Sequence, residues 1–273
     1  VRTYARVLVD QNNLEEAYVL LVDEADRDRE IAKNGPINNQ MFFVALLKDC
    51  AMVAHSSQRM IKAVKHGEEA LTLVQQMGDG HPDKWYFMFR IGSELCLAYS
   101  ELAWYEKAHR LLVTLKQQSK NAPLKPQQKP IVQWNLLNAE TVLAATEGDH
   151  RNAVIASRKL LQMYESTPNH GIRRVNVMQT YIQLAHALIS LRRQAEAEQA
   201  LAKLEKVFQD SQQMLNPFEQ QRVKWNLRFL SAKHDMAGKD WELAIRIWKE
   251  LIREERSHLR NAEGATEDLY DCE

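Results

Sequence analysis

Trp104-Tyr105-Glu106-Lys107-Ala108 separates two runs of helical spacing. Before it stand Phe89, Gly92, Leu95, Cys96 and Tyr99, and after it Leu111, Leu112 and Leu115. Apolar residues at steps of three and four mark one buried face of a helix. The stretch therefore reads as a turn between two amphipathic helices, with the small Ala108 where their backbones approach. Moving outward, the same arrangement recurs at Asn12-Asn13-Leu14-Glu15-Glu16-Ala17, Met60-Ile61-Lys62-Ala63, Gly148-Asp149-His150-Arg151-Asn152-Ala153, Arg193-Gln194-Ala195-Glu196-Ala197 and Lys239-Asp240-Trp241-Glu242-Leu243-Ala244. The alanines fall at 17, 63, 108, 153, 197 and 244, separated by 46, 45, 45, 44 and 47 residues. A step held over five intervals is an internal repeat.

Each unit resolves into two helices. In the fifth, Tyr181, Leu184, Ala185 and Leu188 precede the turn and Ala197, Leu201 and Leu204 follow it. Ala51, Cys96, Ala185 and Ala232 are the small residues at which helix backbones can close on one another. Breakers separate the units: Gly35-Pro36, Gly78 to Pro82, Pro123 to Pro130, Thr167 to Gly171, and Asn216-Pro217. Asn216-Pro217-Phe218-Glu219 is a helix start, with Asn as N-cap, Pro in the first turn and Glu behind it. The period runs straight through the longest loop, Lys120 to Pro126, so no domain boundary is placed there.

A helix pair alone leaves an apolar face uncovered, so successive pairs must stack. The predicted fold is all-α: a superhelix, or solenoid, of about six antiparallel helix pairs over residues 1–253. The units are 1–34, 36–78, 82–121, 126–166, 171–212 and 217–253. Residues 254–273 form a capping or connector helix. Ile252, Leu259 and Thr266 are seven apart, as are Glu255, Ala262 and Leu269, an impure heptad with Gly264 inside it.

Composition narrows the function. Lys+Arg and Asp+Glu are each 36, so the basic excess that drives counterion release on nucleic acid is absent. No apolar run approaches the ~20 residues of a membrane span. Cys50, Cys96 and Cys272 are odd in number and far apart, which suits a reducing cytoplasm and offers no metal spacing. A first residue of Val reads as a segment of a longer chain, with an effector domain as one expected attachment.

Leu95-Cys96-x-x-Tyr99 with Ala108 and Leu112, and Tyr181-x-x-Leu184-Ala185-x-x-Leu188 with Ala197 and Leu201, resemble the tetratricopeptide repeat. The period exceeds that family's 34 residues by about eleven. HEAT-like repeats share it, but the Gly-Asp or Lys-Asp turn followed by x-x-Ala is closer to the tetratricopeptide pattern. The long period is similar to that of tetratricopeptide-like sensor regions in bacterial signalling: MalT-type regulators, quorum-peptide receptors and the input halves of diguanylate cyclases. The resemblance implies a regulatory or sensory module that binds a peptide or protein in its concave groove. An input domain responding to a small ligand is the alternative.

By the same resemblance the concave wall is built from first helices and exposes Arg90, Ser93, Asn135, Asn138, Gln179, His186, Asn226 and Lys233. Asn135, Gln179 and Asn226 occupy one position in three consecutive units. A side-chain amide both donates and accepts, so a ladder of them suits a peptide backbone; the plainer reading is a solvated polar row. Trp134 and Trp225 begin apolar stripes and read as core, Trp241 and Trp248 as packing of the last pair, and Trp85 and Trp104 as candidates for exposed contacts. His55 and His186 are the histidines expected to face the groove. No phosphate-cradling, nucleophile-elbow or zinc-ligand motif occurs, so no catalytic residue, metal or cofactor is assigned.

Overall fold

In the computed structural model, residues 1–78, 81–166, 172–238 and 245–251 are described. They are helical and contain no strand. The helices are α1 (Arg2–Asp10), α2 (Leu14–Asn34), α3 (Ile37–Ser56), α4 (Met60–Gln76), α5 (Lys84–Glu101), α6 (Tyr105–Ser119), α7 (Lys129–Thr146), α8 (His150–Ser166), α9 (Arg174–Ser190), α10 (Gln194–Gln209) and α11 (Pro217–Gly238), with one 3-10 turn at Gln212–Met214. Residues 245–251 are again helical. Ala244, Trp241 and the tail beyond Leu251 lie outside the described residues, and with them the heptad reading.

The second helices begin at Leu14, Met60, Tyr105, His150 and Gln194, in steps of 46, 45, 45 and 44 residues. Their alanines, Ala17, Ala63, Ala108, Ala153 and Ala197, are all buried. Close approach within a pair is evident at Cys96, whose Sγ lies 3.7 Å from the Ala108 carbonyl oxygen. Gly92 serves the same end: a Cβ there would stand 2.7 Å from Leu115 Cδ1, so α5 and α6 touch only because it is absent.

Among the described residues, the turns inside the first five pairs pass through the left-handed region at one residue each: Asn12, Gln58, Ala103, Gly148 and Arg192. The residue after each of four of these donates its N–H back to a carbonyl five residues earlier: Asn13 to Leu8, Arg59 to Ala54, Trp104 to Tyr99 and Arg193 to Leu188. These are Schellman closures, which satisfy carbonyls left over at a helix end. The next helix starts at once. Asn13 Oδ1 accepts from the Glu16 N–H, and Asp149 Oδ1 from the Asn152 N–H at 3.1 Å. Asn216 and Glu219 form a reciprocal capping box, with Oδ1 accepting at 2.8 Å and Oε2 at 3.3 Å, as the sequence of that start predicts.

First helices contact one another in series, α1 with α3, then α5, α7, α9 and α11, while each second helix contacts the first helices on either side of it. That arrangement puts α3, α5, α7, α9 and α11 on the inner wall and the second helices outside. Polar side chains tie consecutive units across one period. Tyr18 shares a 3.0 Å hydrogen bond with His66, Tyr99 donates to Glu68, Tyr105 donates to the Thr146 carbonyl, and Arg59 pairs with Glu15. The long loop is fastened in the same way. Lys125 Nζ and Gln128 Nε2 both donate to Asp83 Oδ1 at 2.8 Å.

The first and sixth units also meet. Asn216 Nδ2 donates to Asp10 Oδ1 at 3.0 Å, across 206 residues of sequence. The superhelix therefore curls far enough to bring the end of α1 against the start of α11.

Candidate functional site

The amides expected to form one ladder divide into two groups. Asn135 and Asn138 lie one helical turn apart on α7, half-buried, and neither has a hydrogen-bond partner among the described residues. On α9 and α11 the equivalent side chains are occupied. Gln179 Oε1 accepts from Arg222 Nη2 at 2.9 Å, and Asn226 Nδ2 donates to the Arg222 carbonyl of its own helix at 2.8 Å. Arg90, in the corresponding position on α5, lies with its guanidinium 5.6 Å from the centre of the Tyr86 ring.

Ser93 corrects the sequence expectation. It is buried, and its hydroxyl donates to the Phe89 carbonyl one turn back at 2.7 Å. A short hydroxyl side chain bonds its own helix readily, and the packing of α5 between α3 and α7 covers it. Trp225 is a second correction, since it is 36% exposed. Trp134, its counterpart on α7, is covered edge to face by Tyr164 of α8. Trp225 instead stacks on Phe229 of its own helix, centroids 5.1 Å apart, and leaves its other face to solvent. Trp104 is exposed as expected, with Lys107 Nζ 4.6 Å from its ring centre, whereas Trp85 is partly buried against Phe89. Trp248 packs edge to face on Phe229.

At the far end of the wall His186 and Lys233 face each other. Lys233 Nζ lies 2.8 Å from His186 Nε2 and 3.3 Å from Ser190 Oγ, so the ammonium donates and the imidazole accepts. Burial, then Lys233 and His150, pull the His186 pKa down to about 4. The unfolded chain takes up a proton near the ordinary histidine value of 6.5, and the folded one does not. Stability held by this group is thus present above that value and is lost as pH falls from about 6.5 towards 4. Denaturation across this window should show the wild type losing about 1–3 kcal/mol more than His186→Gln. Equal losses would remove His186 as the titrating group.

Two charged residues on the inner wall escape a reading by repeat position. Lys48 and Asp49 interrupt the apolar run of α3, and both are buried. Lys48 Nζ stands 2.7 Å from Asp49 Oδ1, while Arg2 Nε donates to Oδ2 at 2.8 Å. Burial alone would raise the Asp49 pKa, but Lys48 and Arg2 outweigh it and hold the carboxyl below the usual carboxylate range. Nearby on the same wall, His55 donates to Glu101 Oε1 at 3.1 Å. Burial opposes its charged form, yet the Glu101 carboxylate raises its pKa overall.

Cys50 and Cys96 are buried, and burial pushes both thiols up to about 12, so neither is a nucleophile at neutral pH. Among the described residues no group of three or more His, Cys, Asp or Glu is placed to hold a metal. None of the described helices is long and apolar enough to cross a membrane.

No protein-family model matches the chain, and no curated protein does. Among solved structures it is similar to the nearly identical TPR-like repeats of a Podosopora anserina kinesin light chain. There it has 19% identity and a TM-score of 0.50, over 78% of this chain and 94% of that one. A second structure of those repeats gives a TM-score of 0.48 at 19% identity, over 77% and 94%. BtubC of P. vanneervenii gives 0.42 at 16%, over 73% and 92%. The first of these likenesses, together with the stacked helix pairs, makes the fold that of a tetratricopeptide-like solenoid.

Proposed function

We propose that this tetratricopeptide-like solenoid is a non-catalytic binding module that holds an extended segment of a protein partner against its inner wall. The observation that carries the reading is the pair of unpartnered amides at Asn135 and Asn138. Each offers a donor and an acceptor at the middle of the wall, as a peptide backbone requires. Arg90, at the corresponding position of the neighbouring helix α5, supplies a cation on the same wall. The curved wall of a repeat array is the surface such folds present to elongated partners.

The test begins with affinity capture by the full chain to obtain the partner. Its affinity for wild type is then compared with that for the Asn135→Ala, Asn138→Ala double variant. Two amide hydrogen bonds at about 0.5–1.5 kcal/mol each predict roughly a tenfold loss, with the melting temperature nearly unchanged because neither amide bonds within the fold. Asn226→Ala should change affinity little, since its NH2 is already used by its own helix. Undiminished binding by the double variant would retire the α7 amides as the contact.

A further inference from the structure

Beside the Asp10–Asn216 contact lies an open cavity of about 370 Å³, lined by the first two units and by Arg173 of the fifth, that shares no lining residue with α7. That volume lies in the range of small-molecule sites, about 300–1,000 Å³. Ala5, Val9, Leu21, Met52 and Val53 supply its apolar part from α1, α2 and α3, and of these Val9 and Met52 keep accessible surface. Arg2, Arg6 and Arg173 reach it from the two sides of the junction.

The charges around it leave one cation over. Arg2 and Lys48 share the Asp49 carboxylate, Arg173 donates to Glu219 at 2.6 Å, and Asp10 accepts from the neutral Asn216. Among the residues that line the cavity, three cations (Arg2, Arg6, Arg173) stand with two carboxylates (Asp10, Asp49). Arg6 is exposed and has no partner among the described residues. A guanidinium is suited to a carboxylate, which it meets with two parallel N–H donors.

We propose that this cavity binds a small monoanionic amphiphile, an aliphatic carboxylate of medium length, with its carboxylate on Arg6 and its chain along Val9 and Met52. Occupied, the site would join α1 to α3 through the ligand, beside the Asp10–Asn216 hydrogen bond that joins α1 to the start of α11. It is separate from the peptide-binding reading, and the two stand or fall independently.

The probe is octanoate, titrated calorimetrically into the full chain, with acetate and 1-octanol as the charge-only and chain-only controls. The expected result is one site per chain for octanoate, with acetate and octanol each weaker by roughly tenfold or more. Arg6→Gln, at an exposed position that leaves circular dichroism unchanged, should weaken octanoate by roughly tenfold and leave octanol unaffected. Absence of octanoate binding overturns the proposal. So does equal affinity for octanoate and octanol, or an Arg6→Gln variant that binds octanoate as the wild type does.

Discussion

Phe89→Ala lowers the stability of the solenoid by about 3–5 kcal/mol. Phe89 is wholly buried in the core that runs from α1 to α7, and its ring lies 6.2 Å from that of Trp85 on the same helix. Truncation removes the transfer energy of a phenyl group and leaves a void. Little can close it, because Gly92 already brings α5 against Leu115. The loss should appear in urea denaturation as a lower midpoint. Broadening of the transition would show that the central units have uncoupled from their neighbours. A change below about 1 kcal/mol would mean that the ring is not packed as described.

Asp49→Ala is the second large effect, again about 3–5 kcal/mol, through charge and not volume. Lys48 is buried, and burial already depresses its pKa despite the opposing pull of Asp49. Without the carboxylate it becomes a buried ammonium that keeps only the weaker pull of the exposed Glu94. Arg2 is partly exposed and can turn to water. The double variant Lys48→Met, Asp49→Leu should therefore recover most of the loss, since apolar replacement of a whole buried pair is often neutral or better. If the double variant is no more stable than Asp49→Ala, the pair is not the source of the effect. The wild-type pH profile carries the same signature. Because the Asp49 pKa is depressed in the fold, its contribution is full above the ordinary carboxylate value and fades as pH falls through the depressed one.

Much of the architecture was legible because each unit repeats its own evidence. Alanine spacing, breakers and the Asn216–Glu219 start are local signals, and they placed the helix pairs. The left-handed turn residues were not legible at four of five positions. Only Gly148 is a glycine, whereas Asn12, Gln58, Ala103 and Arg192 are held there by the closures on either side. The inner wall was half legible. Repeat position identified Asn135, Gln179 and Asn226 as equivalents, but which amide is free depends on where Arg222 reaches, a contact between helices 43 residues apart. Ser93 and Trp225 failed for a related reason: a periodic pattern assigns a face, while the neighbour opposite decides burial. Nothing local announces the Asp10–Asn216 contact, which results from small rotations accumulated over the units.

That contact changes how the array comes apart. In an open stack of repeats each unit leans only on its neighbours, so melting starts at whichever end is weakest and travels inward. Here the hydrogen bond between Asp10 and Asn216 makes the first and sixth units neighbours as well. The stack between them is a hoop whose clasp is one exposed side-chain hydrogen bond. Separating α1 from the start of α11 opens the clasp and widens the space that the inner wall surrounds.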